Sequence, residues 1–391
     1  MGLNTPLPVQ LIEFDSADEW IPEPEAPPAP AAWVTAGGPR VGIHTSIAGD
    51  AINALEIAHG LGANALQIFS SNPRQWWRER ETARIGVADA ERFCARRHEL
   101  ALGPLVIHCN YLINMASAER VLRARSVQAF HLELVRAKAL GADFLVLHPG
   151  ACCGAERGAS IALVADGLRQ AVRGLKLDGL RILLENTAGQ GTCVGAEFAE
   201  LKRIMELCPQ LPLGICVDTA HLLAAGHNIC SAEGLEQALQ HIDAMVGLAN
   251  VHVLHVNDSK MPLGSRVDRH DHIGKGHIGL EAFRRIVNHP ALAGRAFILE
   301  TPIDKPGDDL RNVRALWKLV GRTVEKPKGK VRDGFVNKPK NDAKKAAVPA
   351  AGRKIVPLKA AAAAAGANAS ASGRIRGGKA VEKIVTRRKF K

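Results

Sequence analysis

Short apolar runs recur along the chain, and each is followed by a longer stretch whose apolar residues recur every three or four positions. Successive runs end 25 to 45 residues apart, at positions 44, 69, 108, 148, 185, 218, 255 and 300. Buried strands that alternate with amphipathic helices at this spacing are typical of parallel α/β folds. Eight such units predict a closed (β/α)8 barrel, the TIM barrel, over residues 39–325.

The same pattern predicts one helix after each strand, at 49–62, 87–102, 119–140, 157–176, 196–207, 232–247, 279–288 and 308–321. The longest connection follows the seventh strand and carries the charged sequence RVDRH at 266–270. Loops at the carboxyl ends of barrel strands form the functional face, so this connection is a candidate part of a site.

Neither end of the chain has this periodicity. Residues 1–38 are rich in Pro and Ala and carry six acidic residues but no Lys or Arg, which predicts a disordered acidic extension. Residues 326–391 carry nineteen Lys or Arg against three acidic residues, which predicts a disordered basic tail. We expect this tail to contact nucleic acid. A solubility tail and a localisation signal at 387–391 are the alternatives.

Residue types that bind metals mark the ends of the predicted strands. Only the second strand, which ends at Phe69, has an apolar end; the others end at His44, His108, His148, Glu185, Asp218, His255 and Glu300. All strands of a parallel barrel point their carboxyl ends at one face, so these side chains are predicted to converge there. His221, Asp268 and His270 in the adjoining loops add further candidates.

Without His44, which is predicted to support a ligand or contact a phosphate, the set holds nine imidazole and carboxylate ligands. A single zinc ion takes four, so the number suits three metal ions with a carboxylate shared between two of them. The absence of thiolates from the set favours zinc or manganese. Each residue alone could be an ordinary polar group at the barrel mouth, but nine together argue for a metal cluster.

Cysteine usage and hydropathy limit where the protein acts. Eight cysteines in 391 residues, with no CxxC pair, do not form a disulfide scaffold, so a reducing compartment is expected. No apolar run approaches the roughly 18 to 20 residues of a membrane span, and no secretory signal is visible. We therefore expect an intracellular protein without a membrane partner, with cytoplasm, nucleus and virion all open.

A series of short sequences makes the chain resemble the endonuclease IV family of apurinic/apyrimidinic endonucleases over about residues 40–322. The matching segments are 42–46, 72–76, 108–114, 148–150, 185–191, 218–221, 224–226, 255–260, 264–270 and 299–301. The resemblance implies three zinc ions, with manganese as the alternative at one or more sites. It assigns them nine ligands, namely His108, His148, Glu185, Asp218, His221, His255, Asp268, His270 and Glu300.

Roles within this set also follow from the resemblance. Glu185 would bridge the first two ions, and His221, Asp268 and His270 would bind the third. Glu185 and Glu300 would be the catalytic carboxylates, with Glu300 orienting the attacking nucleophile. Cys109 stands where the family often has an acidic residue, and a thiol beside zinc suggests sensitivity to oxidation as a hypothesis that Cys109→Ser tests.

Other residues are predicted to handle DNA or to support the ligands. By resemblance, Arg74, Tyr111 and Leu112 enter the DNA at the lesion. Arg74 and Gln75 are predicted to fill the gap left by an extruded nucleotide. Arg266 and Arg269 are candidate phosphate contacts, or partners of nearby carboxylates. The predicted supports of the ligands are His44, Asn186, Asn257 and Asp258, for which capping of strand ends and turns is the alternative.

The resemblance implies a zinc-dependent hydrolase that acts on double-stranded DNA in base excision repair. It would cut the phosphodiester bond 5′ to an abasic site, leave a 3′-hydroxyl and a 5′-deoxyribose phosphate, and remove 3′-blocking groups. A metal-dependent sugar isomerase or epimerase of the same barrel superfamily is one alternative, against which the Asp268–His270 pair argues. A non-catalytic DNA-binding protein is another, against which nine intact ligands argue. The nearly neutral barrel predicts a monomer.

Overall fold

Eight parallel strands close into a barrel in the computed structural model of the chain, which describes residues 38–76 and 86–321. Strands adjacent in sequence pair with each other, and the first strand closes the barrel on the last. The barrel strands are β1 (Arg40–Thr45), β2 (Ala65–Phe69), β3 (Leu105–His108), β4 (Phe144–Leu147), β5 (Arg181–Glu185), β6 (Leu213–Asp218), β7 (Val251–His255) and β10 (Ala296–Leu299). The predicted fold class is confirmed, and the predicted strand ends agree within one residue.

Helices cover the outside of the barrel. They are α1 (Ala51–Gly60), α2 (Val87–Glu99), α3 (Arg120–Ala139), α4 (Arg157–Ala171), α5 (Phe198–Leu207), α6 (Thr219–Ala225), α7 (Ala232–Val246), α8 (Leu280–Val287) and α9 (Asp308–Leu319). All but α6 match helices predicted from the sequence. Within the described ranges, no helix is both long and apolar enough to cross a lipid bilayer. The extensions predicted at 1–38 and 326–391 lie outside the described residues, apart from Gly38.

The alternation of side chains along the strands divides the core into two layers. The barrel interior is filled by one small set of residues, Ala65, Val106, Val146, Leu183, Cys216, Val253, Ala296 and Ile298. The layer between strands and helices holds the large aromatic side chains Phe93, Phe130, Phe198 and Phe283. Gly42 in β1 allows close packing, because a Cβ there would lie 2.4 Å from Ile298 Cδ1. Since side chains fill the barrel, its mouth is the place for a site.

The long connection after β7 is folded back by a small antiparallel pair, β8 (Asp258–Ser259) with β9 (His270–Asp271). Asp258 pairs with Asp271, and Ser259 pairs with His270. The pair returns the far part of the connection to the barrel mouth. His270 therefore lies beside the strand ends although it follows the end of β7 by fifteen residues.

Candidate metal centre

The predicted ligands meet at the carboxyl-terminal mouth of the barrel. Three groups whose ligand atoms lie within 4.8 Å of one another are His108 with His148 and Glu185, Glu185 with Asp218, His255 and Glu300, and Asp218 with His221 and His270. Asp268 joins the third group through His221 and His270. Glu185 and Asp218 each belong to two groups, so the whole set is one connected centre.

Glu185 occupies the middle of this centre at the end of β5, where it is fully buried. Its Oε2 lies 2.9 Å from His148 Nε2 and 3.4 Å from His108 Nε2. Its Oε1 lies 3.0 Å from His255 Nδ1. One carboxylate therefore faces two sets of imidazoles with its two oxygens, which suits a ligand shared between two metal ions.

The junction of β6 and α6 supplies two further predicted ligands side by side. Asp218 caps α6, because its Oδ1 accepts a hydrogen bond from the backbone N–H of His221 at 2.7 Å. From the long loop, Asp268 Oδ2 lies 3.1 Å from His221 Nε2 and Asp268 Oδ1 lies 3.4 Å from His270 Nε2. His270 Nε2 also lies 3.5 Å from Asp218 Oδ2. The helix cap and the loop thus build the third group together.

Backbone carbonyl oxygens orient three of the imidazoles. The Nδ1–H groups of His108, His221 and His270 donate to carbonyl oxygens at 2.9, 2.8 and 3.2 Å. A carbonyl oxygen only accepts, so Nδ1 carries a proton and Nε2 is the nitrogen turned to the carboxylates, where a metal ion would take the place of any second proton. Metal-binding histidines are commonly held in this way.

Opposite charges in the centre keep its groups ionised despite burial. Burial opposes ionisation of Glu185 and Glu300, but the facing histidines outweigh it and hold the pKa of both carboxyls well below the usual range. Burial likewise lowers the pKa of His221, but Asp218 and Asp268 outweigh it and raise that pKa to about 10. For Asp268, burial is outweighed by His221, and the pKa falls to about 2.

The centre fits the expected metal ions. Glu185 Oε2 and His270 Nε2 are buried and make no well-aligned hydrogen bond among the described residues, although His148 Nε2 lies 2.9 Å from Glu185 Oε2. Buried polar atoms without partners are costly, and a cation held by each group would satisfy both atoms. The donors are mainly imidazole nitrogens and carboxylate oxygens, the set that zinc and manganese prefer.

Asparagines and one histidine support the ligands. Asn257 Nδ2 donates to Asp218 Oδ2 at 2.6 Å, and Asn257 Oδ1 accepts from the backbone N–H of Glu300 at 2.8 Å. Asn186 Oδ1 accepts from the backbone N–H of Asp218 at 2.7 Å. His44 Nδ1 lies 3.4 Å from Glu300 Oε1. Three of the four predicted supports therefore contact predicted ligands.

Asp258 does not contact a predicted ligand side chain, in contrast to the other three predicted supports. Its Oδ1 accepts from the backbone N–H groups of Ser259 and Ile278 at 2.9 and 2.8 Å. Its Oδ2 accepts from those of Gly274 and Gly279 at 2.9 and 3.3 Å. This fully buried carboxylate ties the two ends of the long loop together. It therefore acts on the third group of ligands through the loop backbone.

Gln67 is a member of the site that the sequence prediction omits. Its side chain is fully buried in β2 and makes polar contacts with His44, Glu300 and His255. The prediction passed over β2 because that strand ends in Phe69. Alternate residues of a strand face the same side, so Gln67 faces the same side as Phe69 at the end of β2. A polar residue at that position of an apolar strand was the signal that could have identified it.

Two cysteines near the ligands lie in different layers of the core. Cys216, two residues before Asp218, points into the barrel and groups with Glu185 and His255. Burial raises the pKa of its thiol to about 12. Cys109 packs in the layer between strands and helices, and burial raises its pKa well above the usual range. A buried, protonated thiol in that layer removes the physical basis for the expected sensitivity to oxidation.

The two loops predicted to enter DNA are tied to each other at the mouth. Asn110 Nδ2 donates to the carbonyl oxygens of Asn72 and Gln75 at 3.0 and 2.8 Å. The backbone N–H of Tyr111 donates to the carbonyl oxygen of Pro73 at 3.1 Å. Tyr111 itself is 59% exposed. The loops after β2 and β3 thus form one surface that presents an exposed aromatic ring.

The other residues predicted to contact DNA differ in exposure. Arg74, Arg266 and Arg269 are exposed, whereas Leu112 is half-buried. Arg266 has a φ of 54°, in the left-handed region that non-glycine residues rarely adopt. The guanidinium of Arg269 donates to the carbonyl oxygen of Asp268 at 2.5 Å. Arg269, a predicted DNA contact, is therefore hydrogen-bonded to the backbone of Asp268, a predicted ligand.

Comparison with known proteins first places the chain in a class. A family model described as a xylose isomerase-like TIM barrel matches residues 55–319. The crystal structure of a D-tagatose 3-epimerase-like protein has a TM-score of 0.55 at 17% identity, covers 72% of this chain and 96% of that one, and shows the fold alone. The chain is therefore a barrel of the xylose isomerase-like class.

Closer relatives define the family within that class. "Probable endonuclease 4" of Solibacter usitatus (strain Ellin6076) is 50% identical over 292 residues, which cover 74% of this chain and 99% of the relative. The crystal structure of endonuclease IV from Thermus thermophilus has a TM-score of 0.64 at 38% identity and covers 72% of this chain and 98% of that one. The chain belongs to the endonuclease IV family.

We predict that Asp258→Asn lowers the free energy of unfolding by about 2–5 kcal/mol. The new amide nitrogen cannot accept hydrogen bonds, so the backbone N–H groups that it faces would lose their acceptor, at a cost of about 1–3 kcal/mol each. Urea unfolding measures the change, and limited proteolysis reports whether the loop at 260–279 opens first. The matched control is Asp271→Asn, whose carboxylate is half-buried and accepts from the backbone N–H of His272. Equal stability of the two variants would contradict the role given to Asp258.

Proposed function

We propose that the chain is a metal-dependent endonuclease that cuts double-stranded DNA 5′ to abasic sites. The products would carry a 3′-hydroxyl and a 5′-deoxyribose phosphate, and removal of 3′-blocking groups would use the same centre. The observation that carries the proposal is the connected set of nine ligands around the buried carboxylate of Glu185. Membership of the endonuclease IV family supports the choice of substrate.

Three zinc ions, with manganese as the alternative, would be held by the three groups of ligands. When bound, such ions lower the pKa of water to give a nucleophile at neutral pH and neutralise charge on the phosphate. Glu185 would be shared between the first two groups, since its two oxygens face different histidines. Glu300 faces His255 with Oε2 and has Oε1 beside His44, so it is placed to orient an attacking water molecule.

Recognition of the abasic site would depend on the tied loops after β2 and β3. Tyr111 presents an exposed ring at the mouth, and an aromatic ring can wedge into a base stack. Arg74 and Gln75, both exposed in the neighbouring loop, would fill the space left by an extruded nucleotide, with Leu112 beside them. Arg266 and Arg269 would contact phosphates along the rim.

The sugar isomerase or epimerase alternative shares the barrel, as the epimerase-like neighbour shows. The third group of predicted ligands favours the endonuclease over the sugar isomerase or epimerase. Its residues Asp268 and His270 come from the long loop after β7 and not from the end of a barrel strand. A third cation beside the first two suits a phosphodiester, whose oxygens carry charge throughout the reaction. A sugar carbonyl has no comparable charge to hold.

We predict that the protein nicks a duplex with one tetrahydrofuran abasic analogue, and that chelation abolishes nicking until zinc is restored. Glu185→Gln should lower the rate by at least about 100-fold, since even residues that only support metal ligands are worth about 10 to 100-fold. Glu206→Gln, an exposed glutamate on α5, should leave the rate unchanged.

Denaturing electrophoresis of end-labelled strands gives both the rate and the position of the cut. An undamaged duplex of the same sequence serves as the substrate control and should stay intact. Cleavage that survives thorough chelation, or that is equally fast on the undamaged duplex, would contradict the proposal.

The basic tail is proposed as a separate module that adds non-specific affinity for DNA to a monomeric enzyme. Deletion of 326–391 should weaken duplex binding most at low salt and reduce the salt dependence, because fewer counterions are released. Turnover of the duplex with the abasic analogue at saturation should stay nearly intact. Fluorescence anisotropy across a salt series measures this, and an unchanged slope of affinity against salt would rule the role out.

A further inference from the structure

We infer that Gln67 is a positioning residue that presents His255 and Glu300 to a common metal ion. The inference rests on the proposed function, which takes those two residues as ligands. Gln67 lies in β2, the strand without a predicted ligand at its end. Its side chain is fully buried and contacts groups from β1, from the end of β7 and from the residue after β10.

The surrounding atoms determine which way the Gln67 amide faces. Its Nε2 lies 2.5 Å from Glu300 Oε1, and its Oε1 lies 2.8 Å from His255 Nε2. An ionised carboxylate only accepts hydrogen bonds, so the amide NH2 group faces Glu300. The amide oxygen must then face His255. The opposite orientation would place two acceptors against each other at Glu300.

The amide orientation in turn places the proton of His255. An amide oxygen cannot donate, so His255 donates to Gln67 from Nε2–H. When the ring carries a single proton, as a metal-bound imidazole does, its lone pair is at Nδ1. Nδ1 lies 3.0 Å from Glu185 Oε1 and 3.3 Å from Glu300 Oε2, inside the second group of ligands. The nitrogen that faces the centre is therefore the one free to bind a cation.

His255 is held the opposite way round from the other oriented histidines. His108, His221 and His270 donate from Nδ1–H to backbone carbonyl oxygens and turn Nε2 to the centre. His255 turns Nδ1 to the centre, and in the part of the chain that the structure describes its Nε2 meets the side-chain oxygen of Gln67. Gln67 thus accepts from His255 the hydrogen bond that a backbone carbonyl oxygen accepts from the other three histidines. Unlike a backbone carbonyl, this acceptor can be removed by a substitution.

The same amide also restrains Glu300. Donation from Gln67 Nε2 occupies Glu300 Oε1 and leaves Oε2 directed at His255 Nδ1, 3.3 Å away. Nε2 lies as well 2.9 Å from His44 Nδ1. One side chain therefore fixes two ligands of the same group. Residues that orient ligands in this way are worth about 10 to 100-fold in metal affinity.

The test replaces Gln67 by methionine, which has similar length but no amide. Zinc-loaded Gln67→Met is titrated with a chelator, and the chelated metal is removed. The zinc retained per chain is then measured by elemental mass spectrometry. We expect one ion to be lost at a chelator concentration about 10 to 100-fold lower than in the unsubstituted protein, with the remaining ions held as before. Gln170→Met, an exposed glutamine on α4, is the matched control.

A second measurement does not depend on the variant. The ¹⁵N resonances of the histidine rings in the unsubstituted protein, assigned with His255→Gln, should show His255 protonated at Nε2 in both metal-free and zinc-loaded forms. An Nε2 without a proton in either form would overturn the inference, as would a folded Gln67→Met that keeps every ion at unsubstituted affinity. If the unsubstituted protein binds no zinc, the proposed function fails, while the ring resonances still decide the orientation of His255.

Discussion

A carboxylate without access to water is stable only when opposite charges or hydrogen-bond donors surround it, and Glu185 is such a carboxylate. His108, His148 and His255 face its two oxygens from three different strands or strand ends. Their convergence requires the barrel, because only a closed parallel sheet brings those ends to one point. The centre therefore depends on the fold, and removal of the Glu185 charge would leave several imidazoles without a common partner.

Several predicted ligands are also held in place by hydrogen bonds from neighbouring residues. Asp218 both ends β6 and caps α6, so two predicted ligands, Asp218 and His221, come from a single turn of backbone. Asp258 gathers four backbone N–H groups and keeps the loop that carries Asp268 and His270 closed on the mouth. Gln67 supplies from a side chain what carbonyl oxygens supply elsewhere. Each of these contacts holds a predicted ligand in place, which would reduce the entropy lost when a cation binds.

Much of this was predictable from the sequence, for a physical reason. Strands of a parallel barrel are buried on both sides and appear as short continuous apolar runs, so the strands and their polar ends could be located. The alternation of side chains also accounts for the error about Cys109, which follows His108 by one position and faces the other layer of the core and not the metal centre. The resemblance to endonuclease IV then supplied the grouping of the ligands, and family membership is confirmed.

Other features depend on contacts that no local pattern contains. α6 has seven residues and begins directly at a strand end, so it lacks the length that a helical periodicity needs. The four amides that Asp258 binds lie up to twenty-one residues away along the chain, and only the folded loop brings them together. Gln67 is one polar residue within an apolar strand, and its partners come from distant parts of the sequence.

The most direct test of the central claim is anomalous diffraction at the zinc edge from crystals of the zinc-loaded protein. We expect three peaks within bonding distance of the nine ligands, two of them sharing Glu185 and the third beside Asp268 and His270. A single peak, or peaks that leave Glu185 without a metal contact, would contradict a connected three-metal centre.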